Sequence, residues 1–310
     1  MNLTDPIFQD ADKARAHLEA TRWPHGPICP HCGVVNEATE LKGKAHRAGL
    51  YQCNACREQF TATVGTVFER SKVPLNKWLL ATYLMTSSKK GVSAHQIGRT
   101  LGVTYKTAWF MCHRIREAMI TDDTTKMGGG GGTVEVDETY IGKNPDAKAT
   151  RFAGTSMNRV MTLVDRSTGR ARSFVIGDFK ITTVEPILLA NISHEARLMT
   201  DEAHTYKIPG KNFAGHARVN HAQGEYVSRT DPSVTTNTIE GFFGIFKRGM
   251  KGIYQHCGSQ HLQRYMREFD FRYTNRVAVG VNDTMRANEA LRGIGGKRLT
   301  YRRVGEAANA

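Results

Sequence analysis

Two short cysteine pairs constrain this chain more than any other feature: Cys29-Pro-His-Cys32 and Cys53-Asn-Ala-Cys56, with twenty residues between them. Two C-x2-C knuckles at that separation suit a single tetrahedral zinc held by four thiolates, which obliges the intervening chain to fold back on itself. Four thiolates leave no open coordination position, so the expected Zn²⁺ is structural. The segment Gly49–Phe60, GLYQCNACREQF, reads as a short hairpin, the frame of a zinc ribbon. Chance pairing or a redox motif is the plainer alternative. A disulfide framework fits poorly, because the N-terminus MNLTDPIFQD lacks a signal-peptide pattern and cytosolic thiols stay reduced. The two remaining cysteines, Cys112 and Cys257, are expected to act as buried hydrophobes.

Residues 1–72 therefore form an N-terminal segment with the ribbon, and residues 73–121 read as all-α. Leu75–Ser88 is rich in Leu, Trp, Tyr and Met. Ser93 can cap a short helix bearing Ile97 and Leu101, with Gly102 ending it. Thr104 can cap a third helix in which Ala108, Met111, Cys112 and Ile115 follow the spacing of a buried face. Short helix, glycine turn, longer helix is the helix-turn-helix layout. Tyr105, Lys106, Thr107, His113 and Arg114 read as its outward residues, with Lys106 and Arg114 as nucleic-acid contacts. A plain three-helix bundle would show the same pattern.

Residues 122–132 include five consecutive glycines, Gly128–Gly132, and read as a flexible linker. Beyond them the periodicity changes from helical to β. Thr133–Ile141 alternates Val134 and Val136 with Glu135 and Asp137, and Arg159–Asp165 and Arg170–Gly177 follow as apolar strands. A helix (Thr183–Asn191) and a short strand (Arg197–Thr200) ending at Asp201 complete the order of a ribonuclease H-like mixed sheet with flanking helices. The expected fold class is thus an α/β domain over 133–280, behind the ribbon and the helices. Its first and fourth strands would be neighbours, which places Asp137 and Asp201 side by side.

A third acidic residue lies in NTIEGFFGIFKRGMK, residues 237–251. Ile239, Phe242, Phe243, Phe246 and Met250 would form one buried face. Asn237, Glu240, Gly244, Lys247 and Lys251 fall opposite, so Glu240 and Lys247 share a polar stripe. Asn237-x-x-Glu240 can equally be a helix capping box with no chemical role. A further helix, Gln260–Asn275, presents Leu262, Tyr265, Met266 and Phe269 for packing, and Arg264, Arg267 and Arg272 as candidate DNA contacts. Residues 281–310 read as a basic C-terminal tail.

Charge narrows the partner. The chain carries 43 Lys+Arg against 29 Asp+Glu, a net +14, and from residue 241 onward the count is 13 against 5. Such an excess favours a polyanion, because each neutralised phosphate releases counterions. No apolar run approaches the length that spans a membrane.

The runs VEVDETYIGK, TDEAHTY, HARVNH and NTIEGFFGIFKRGMKGIY, followed by HLQRYMREFDFRYTNR, resemble a family of bacterial insertion-sequence transposases. Members carry a zinc ribbon and helix-turn-helix ahead of a DDE domain, and the resemblance extends over about residues 20 to 276. It implies Asp137, Asp201 and Glu240 as an acidic triad holding Mg²⁺ or Mn²⁺, and matches Lys247 to the basic residue expected seven positions after the glutamate. Some relatives place an asparagine third, which adds Asn237 as an alternate. The resemblance further implies cleavage and strand transfer on double-stranded DNA, with Lys247, Arg248 and Lys251 on phosphate. Glu202, His204, His216 and His221 fall near the site and are expected to be structural. It also implies a homodimer or higher oligomer on DNA, in the cytoplasm with the nucleoid. A zinc-ribbon regulator, or an inactive copy that binds DNA without cutting it, is the alternative.

Overall fold

In the computed structural model, residues 1–121, 123–144 and 156–300 are described. The chain divides into two compact units, one of Met1–Ser88, Val92–Ile120 and the segment from Asn282 onward, the other of Lys89–Gly91 and Thr121–Val281.

The first unit opens with α1 (Ala11–Arg22), capped by Asp10, whose carboxylate accepts from the backbone of Asp12 and Lys13. A three-stranded ribbon follows: β1 (Ala38–Glu40), β2 (Tyr51–Cys53) and β3 (Gln59–Phe60) pair antiparallel in that order. Trp23, Tyr51 and Phe60 pack as an aromatic cluster against it. Three helices come next, α2 (Leu75–Ser87), α3 (Ala94–Leu101) and α4 (Tyr105–Ala118). Ser93 Oγ accepts from Gln96 N at 3.1 Å and Thr104 Oγ1 from Thr107 N at 3.3 Å, so both expected caps form. Gly102 adopts φ +62° between α3 and α4, the left-handed conformation that costs glycine little.

Two expectations about this unit need correction. Ribbon and helices, assigned to separate segments at residue 72, form a single compact unit. The segment 281–310 is not simply a tail, because its described part contains α8 (Asp283–Arg292), which packs on α1, α2 and α4. Ala287, Ala290, Leu291 and Ile294 are buried, and the backbone of 294–296 pairs with that of 65–67. Its buried stripe is built partly from alanines, so the apolar periodicity is faint in the sequence. Residues 301–310 lie outside the described residues.

The second unit is built on a five-stranded sheet of β4 (Thr133–Lys143), β5 (Met157–Asp165), β6 (Ala171–Ile176), β7 (Arg197–Thr200) and β8 (Gly215–Arg218), in the order β6-β5-β4-β7-β8. The β4–β5 and β5–β6 pairs are antiparallel, and β4–β7 and β7–β8 are parallel. This is the ribonuclease H-like arrangement, with the first and fourth strands adjacent. The sheet separates two cores. Val134, Val136 and Leu198 pack with α5 (Ile181–Asn191). Val160 and Val164 pack with Phe242, Phe246 and Phe269 from α6 (Asn237–Gly249) and α7 (Ser259–Thr274). Each buried Phe contributes about 2 kcal/mol, enough for α6 to be held mainly by this face.

The glycine run does not behave as a linker. Met127 is buried and bridges to Ile192, and Gly128 N donates to the Asp165 carboxylate at 3.1 Å. Gly128 has φ +72°, and a Cβ there would lie 2.5 Å from Ala196 Cβ and 2.8 Å from Val134 Cγ2. Glycine is required at this point by close approach of the backbone to the core. Asp122, at the start of the expected linker, lies outside the described residues.

Candidate active site

In the ribbon, Cys29 Sγ lies 3.7 Å from Cys56 Sγ, and Cys32 Sγ 3.6 Å from Cys53 Sγ. A tetrahedron of about 2.3 Å Zn–S bonds has edges of about 3.8 Å, so the four sulfurs fit a zinc ion. All four expected cysteines are brought together.

The acidic site forms where β7 ends. Parallel pairing runs from Thr133↔Arg197 to Glu135↔Met199, which leaves the flank of β4 open beyond Glu135. Asp137 and Glu138 occupy that open flank, and Asp201 follows the last residue of β7. Ligand oxygens of Asp137, Glu138 and Asp201 all lie within 4.8 Å of one another. Strand alternation sends Asp137 toward the α6 face and Glu138 toward the α5 face, where Tyr206 Oη donates to Glu138 Oε2 at 2.9 Å. The two reach a common point only because no neighbouring strand separates them there. Glu138 was not legible from the sequence, since alternation assigns it to the opposite face; the short length of the fourth strand is the signal that points to it.

The electrostatics suit a cation. Burial, then the charges of Glu138 and Asp201, push the Asp137 carboxyl up to about 8. Burial and Asp201 push Glu138 up to about 7, and burial raises Asp201 as well. Like carboxylates held this close disfavour joint ionisation unless a cation shares them. The donor set is all carboxylate oxygen, as hard divalent ions prefer.

Glu240 sits in the first turn of α6, outside the three-carboxylate group, although its charge is felt at Asp137. Glu240 Oε1 accepts from Thr236 Oγ1 at 3.2 Å and lies 3.3 Å from His221 Nε2. Glu202 accepts the backbone N–H groups of His221 and Ala222 at 2.9 and 3.2 Å, tying that loop to the end of β7. His216 Nε2 pairs with Thr200 Oγ1 at 2.9 Å, and burial lowers its pKa to about 4, so it serves as a neutral packing group. His204 lies on the short turn after Asp201. Asn237 is the exposed first residue of α6, and no side chain caps that helix from Thr236, so the capping box does not form.

Among the cationic residues, Lys106 is exposed at the start of α4. Arg114 departs from expectation: it is buried, donates to Glu69 O at 2.7 Å and packs its guanidinium over Trp78. It therefore belongs to the core of its unit rather than to a DNA-facing surface, as does buried His113. Arg272 is likewise buried beside Glu268. Lys247 is half-buried, while Arg248 and Lys251 are exposed. Lys251 lies in a π-helical turn, Met250–Tyr254, which interrupts the α-helical stripe running from Glu240.

Residues 130–274 match the ISXO2-like transposase domain, and residues 9–59 match a transposase zinc-ribbon domain. A relative from Halobacterium salinarum, described as an uncharacterized protein in transposable element ISH50, is 28% identical over 281 residues, covering 86% of this chain and 91% of that protein. Among solved structures, a simian T-cell lymphotropic virus intasome bound to PP2A regulatory subunit B56 gamma is 12% identical, covering 75% of this chain and 78% of that chain with a TM-score of 0.32. A Drosophila P element transposase strand transfer complex is 9% identical, covering 72% and 64%, with a TM-score of 0.29. Scores that low bear on neither fold nor function.

Proposed function

We propose that this chain is an insertion-sequence transposase, with an ISXO2-like DDE domain behind a zinc ribbon, that cuts and joins DNA at the ends of its own element. The observation that carries the reading is the convergence of Asp137, Glu138 and Asp201 at the open flank of β4, inside the matched domain. A divalent ion there, Mg²⁺ or Mn²⁺, supplies positive charge to the scissile phosphate and makes an attacking water or 3′-hydroxyl a better nucleophile. The residues of the chain do the rest. Asp137 lies on β4 just beyond its paired stretch and Asp201 directly after β7, so the parallel pairing that ends at Glu135 and Met199 brings the two carboxylates together. Glu240 approaches from α6 as the third acidic member on the Asp137 side, with Asn237 the alternate. Lys247, Arg248 and Lys251 follow on the same segment and hold the DNA backbone. In the first unit, α3 and α4 form the helix-turn-helix and Lys106 reaches DNA from the start of α4. Four thiolates holding Zn²⁺ keep the ribbon folded. The working assembly is a homodimer or larger, bridging two element ends.

The test is nicking and strand joining on DNA bearing the element's flanking ends, with Mg²⁺ or with EDTA, for wild type and Asp201→Asn. Metal-dependent nicks and joined product, both lost in the variant, support the reading. End binding without cutting under Mg²⁺ or Mn²⁺ overturns it and leaves a DNA-binding regulator or an inactive copy.

A further inference from the structure

A fourth carboxylate lies two residues before Asp137 on the same strand face, and it takes no part in the metal group. Glu135 is fully buried. One of its oxygens accepts from Arg166 Nε at 2.5 Å, and the other accepts the backbone N–H of Ile239 at 2.8 Å. Arg166, just past the end of β5, spends its two remaining nitrogens on backbone carbonyls, Ser233 O at 2.7 Å and Thr235 O at 2.6 Å. One ion pair thus grips the approach to α6 at two points and its first turn at a third.

The first turn of α6 has no side-chain cap of its own from Thr236. Glu135 supplies that function from the neighbouring strand, placing a carboxylate on an unsatisfied N–H at the positive end of the helix. A buried ion pair is a poor source of stability, because desolvating both charges offsets most of their attraction. What it does provide is direction. The planar guanidinium fixes three acceptors at set angles, which lysine cannot do. The residue anchored, Ile239, immediately precedes Glu240, and the residue anchoring it shares a rigid central strand with Asp137.

We propose that Glu135 and Arg166 are positioning residues that set Glu240 against Asp137 for metal binding. The proposal rests on the metal-site reading above and adds to it the device that holds the third acidic side chain in register. Mg²⁺ demands near-ideal octahedral geometry, so a small displacement of α6 would weaken its site. Residues supporting metal ligands from behind typically change metal affinity or activity by 10- to 100-fold when altered.

The experiment uses the full chain and Mn²⁺ alone as probe, with free Mn²⁺ followed by its paramagnetic resonance signal, beside Mg²⁺ titrations of end nicking. Arg166→Lys keeps a charge beside Glu135 but loses the fork. Glu135→Gln keeps an acceptor for Ile239 N. The double variant Glu135→Gln/Arg166→Met removes both charges and so avoids an orphaned buried ion. The expected result is wild-type melting for at least the double variant, with Mn²⁺ affinity and half-saturating Mg²⁺ shifted about 10- to 100-fold in all three. Folded variants with wild-type Mn²⁺ affinity and Mg²⁺ dependence would overturn the positioning role and leave a structural ion pair. Loss of metal affinity only in proportion to loss of folded protein would overturn it too. A wild-type chain that binds no Mn²⁺ sinks the metal reading itself, and the positioning role with it.

Discussion

At the scale of single residues, Glu138 and Glu240 are the two candidates for the third acidic member of the proposed site. Glu138 stands within 4.8 Å of Asp137 and Asp201 but is tied to Tyr206 on the α5 face of the sheet. Glu240 is on the Asp137 side, on the segment that carries the exposed Arg248 and Lys251. Their substitutions should therefore fail differently. Glu138→Gln is expected to raise half-saturating Mg²⁺ about 10-fold while nearly full cleavage returns at high Mg²⁺. Glu240→Gln should raise half-saturating Mg²⁺ by about 10- to 100-fold and also leave cleavage well below wild type at saturating Mg²⁺, because a carboxylate that would hold the ion against the reacting phosphate is lost. Mg²⁺ titrations of nicking by the two variants check this, and identical behaviour would refute the distinction. What the sequence revealed at this scale follows the same logic. Asp137, Asp201 and the four cysteines were legible because strand ends and C-x2-C spacing are local signals. Arg114 was misread as outward, since helical phase alone does not say that a long side chain can turn inward to a carbonyl at Glu69.

At the scale of elements, the joints between helices and strands carry the testable physics. The α7–β6 joint is Asp270, whose carboxylate accepts from Ser173 N at 2.9 Å and Ser173 Oγ at 2.6 Å. Burial lifts its pKa to about 6 from an ordinary value of 3.8, against the hydrogen bonds that favour ionisation. Between those values the folded state holds a proton that the unfolded state has released. The Asp270 contribution is therefore fully present below about pH 4 and is lost as pH rises through 6, by up to about 3 kcal/mol. Urea unfolding of wild type and Asp270→Asn at several pH values between 4 and 7 should show the variant lacking that part of the slope; parallel pH profiles would refute it. In the first unit the α3–α4 turn depends on Gly102, at φ +62° with open space around it. Gly102→Ala should cost about 1 kcal/mol from backbone strain alone, a melting shift of about 3–5 °C without loss of zinc. Both caps and this glycine were readable because each is a one-residue signal. The glycine run was not, because conformational freedom and close packing leave the same sequence trace and only Gly128's proximity to Val134 and Ala196 separates them.

At the scale of the whole molecule, the chain returns at its end to the unit it began with, a topology that local sequence signals do not encode. Five observations make α8 and the residues after it an integral part of that unit. Its N-cap forms, with Asn282 Oδ1 accepting from Met285 N at 2.9 Å. Arg286 Nη1 donates to Thr86 O in α2 at 3.1 Å, and Met1 N donates to Thr284 Oγ1 at 2.6 Å. Leu291 and Ile294 are buried, and Val67 N and Gly296 N complete a backbone pairing that fastens the stretch between ribbon and α2. Burial of Leu291 and Ile294 alone is worth about 3–6 kcal/mol, against a whole-domain stability of about 5–15 kcal/mol. A chain ending at Val281 should therefore lose the cooperative melting of the first unit and expose it to protease, while the second unit keeps its own transition and its Mn²⁺ affinity. Differential scanning calorimetry, with proteolysis mapped by mass spectrometry, separates the two units. An unchanged first-unit transition in the truncated chain would show that the segment after Val281 is the dispensable tail its composition suggests. If instead the first unit melts alone, the second unit folds as a body inserted between α4 and α8, and metal binding is separable from the ribbon and helices.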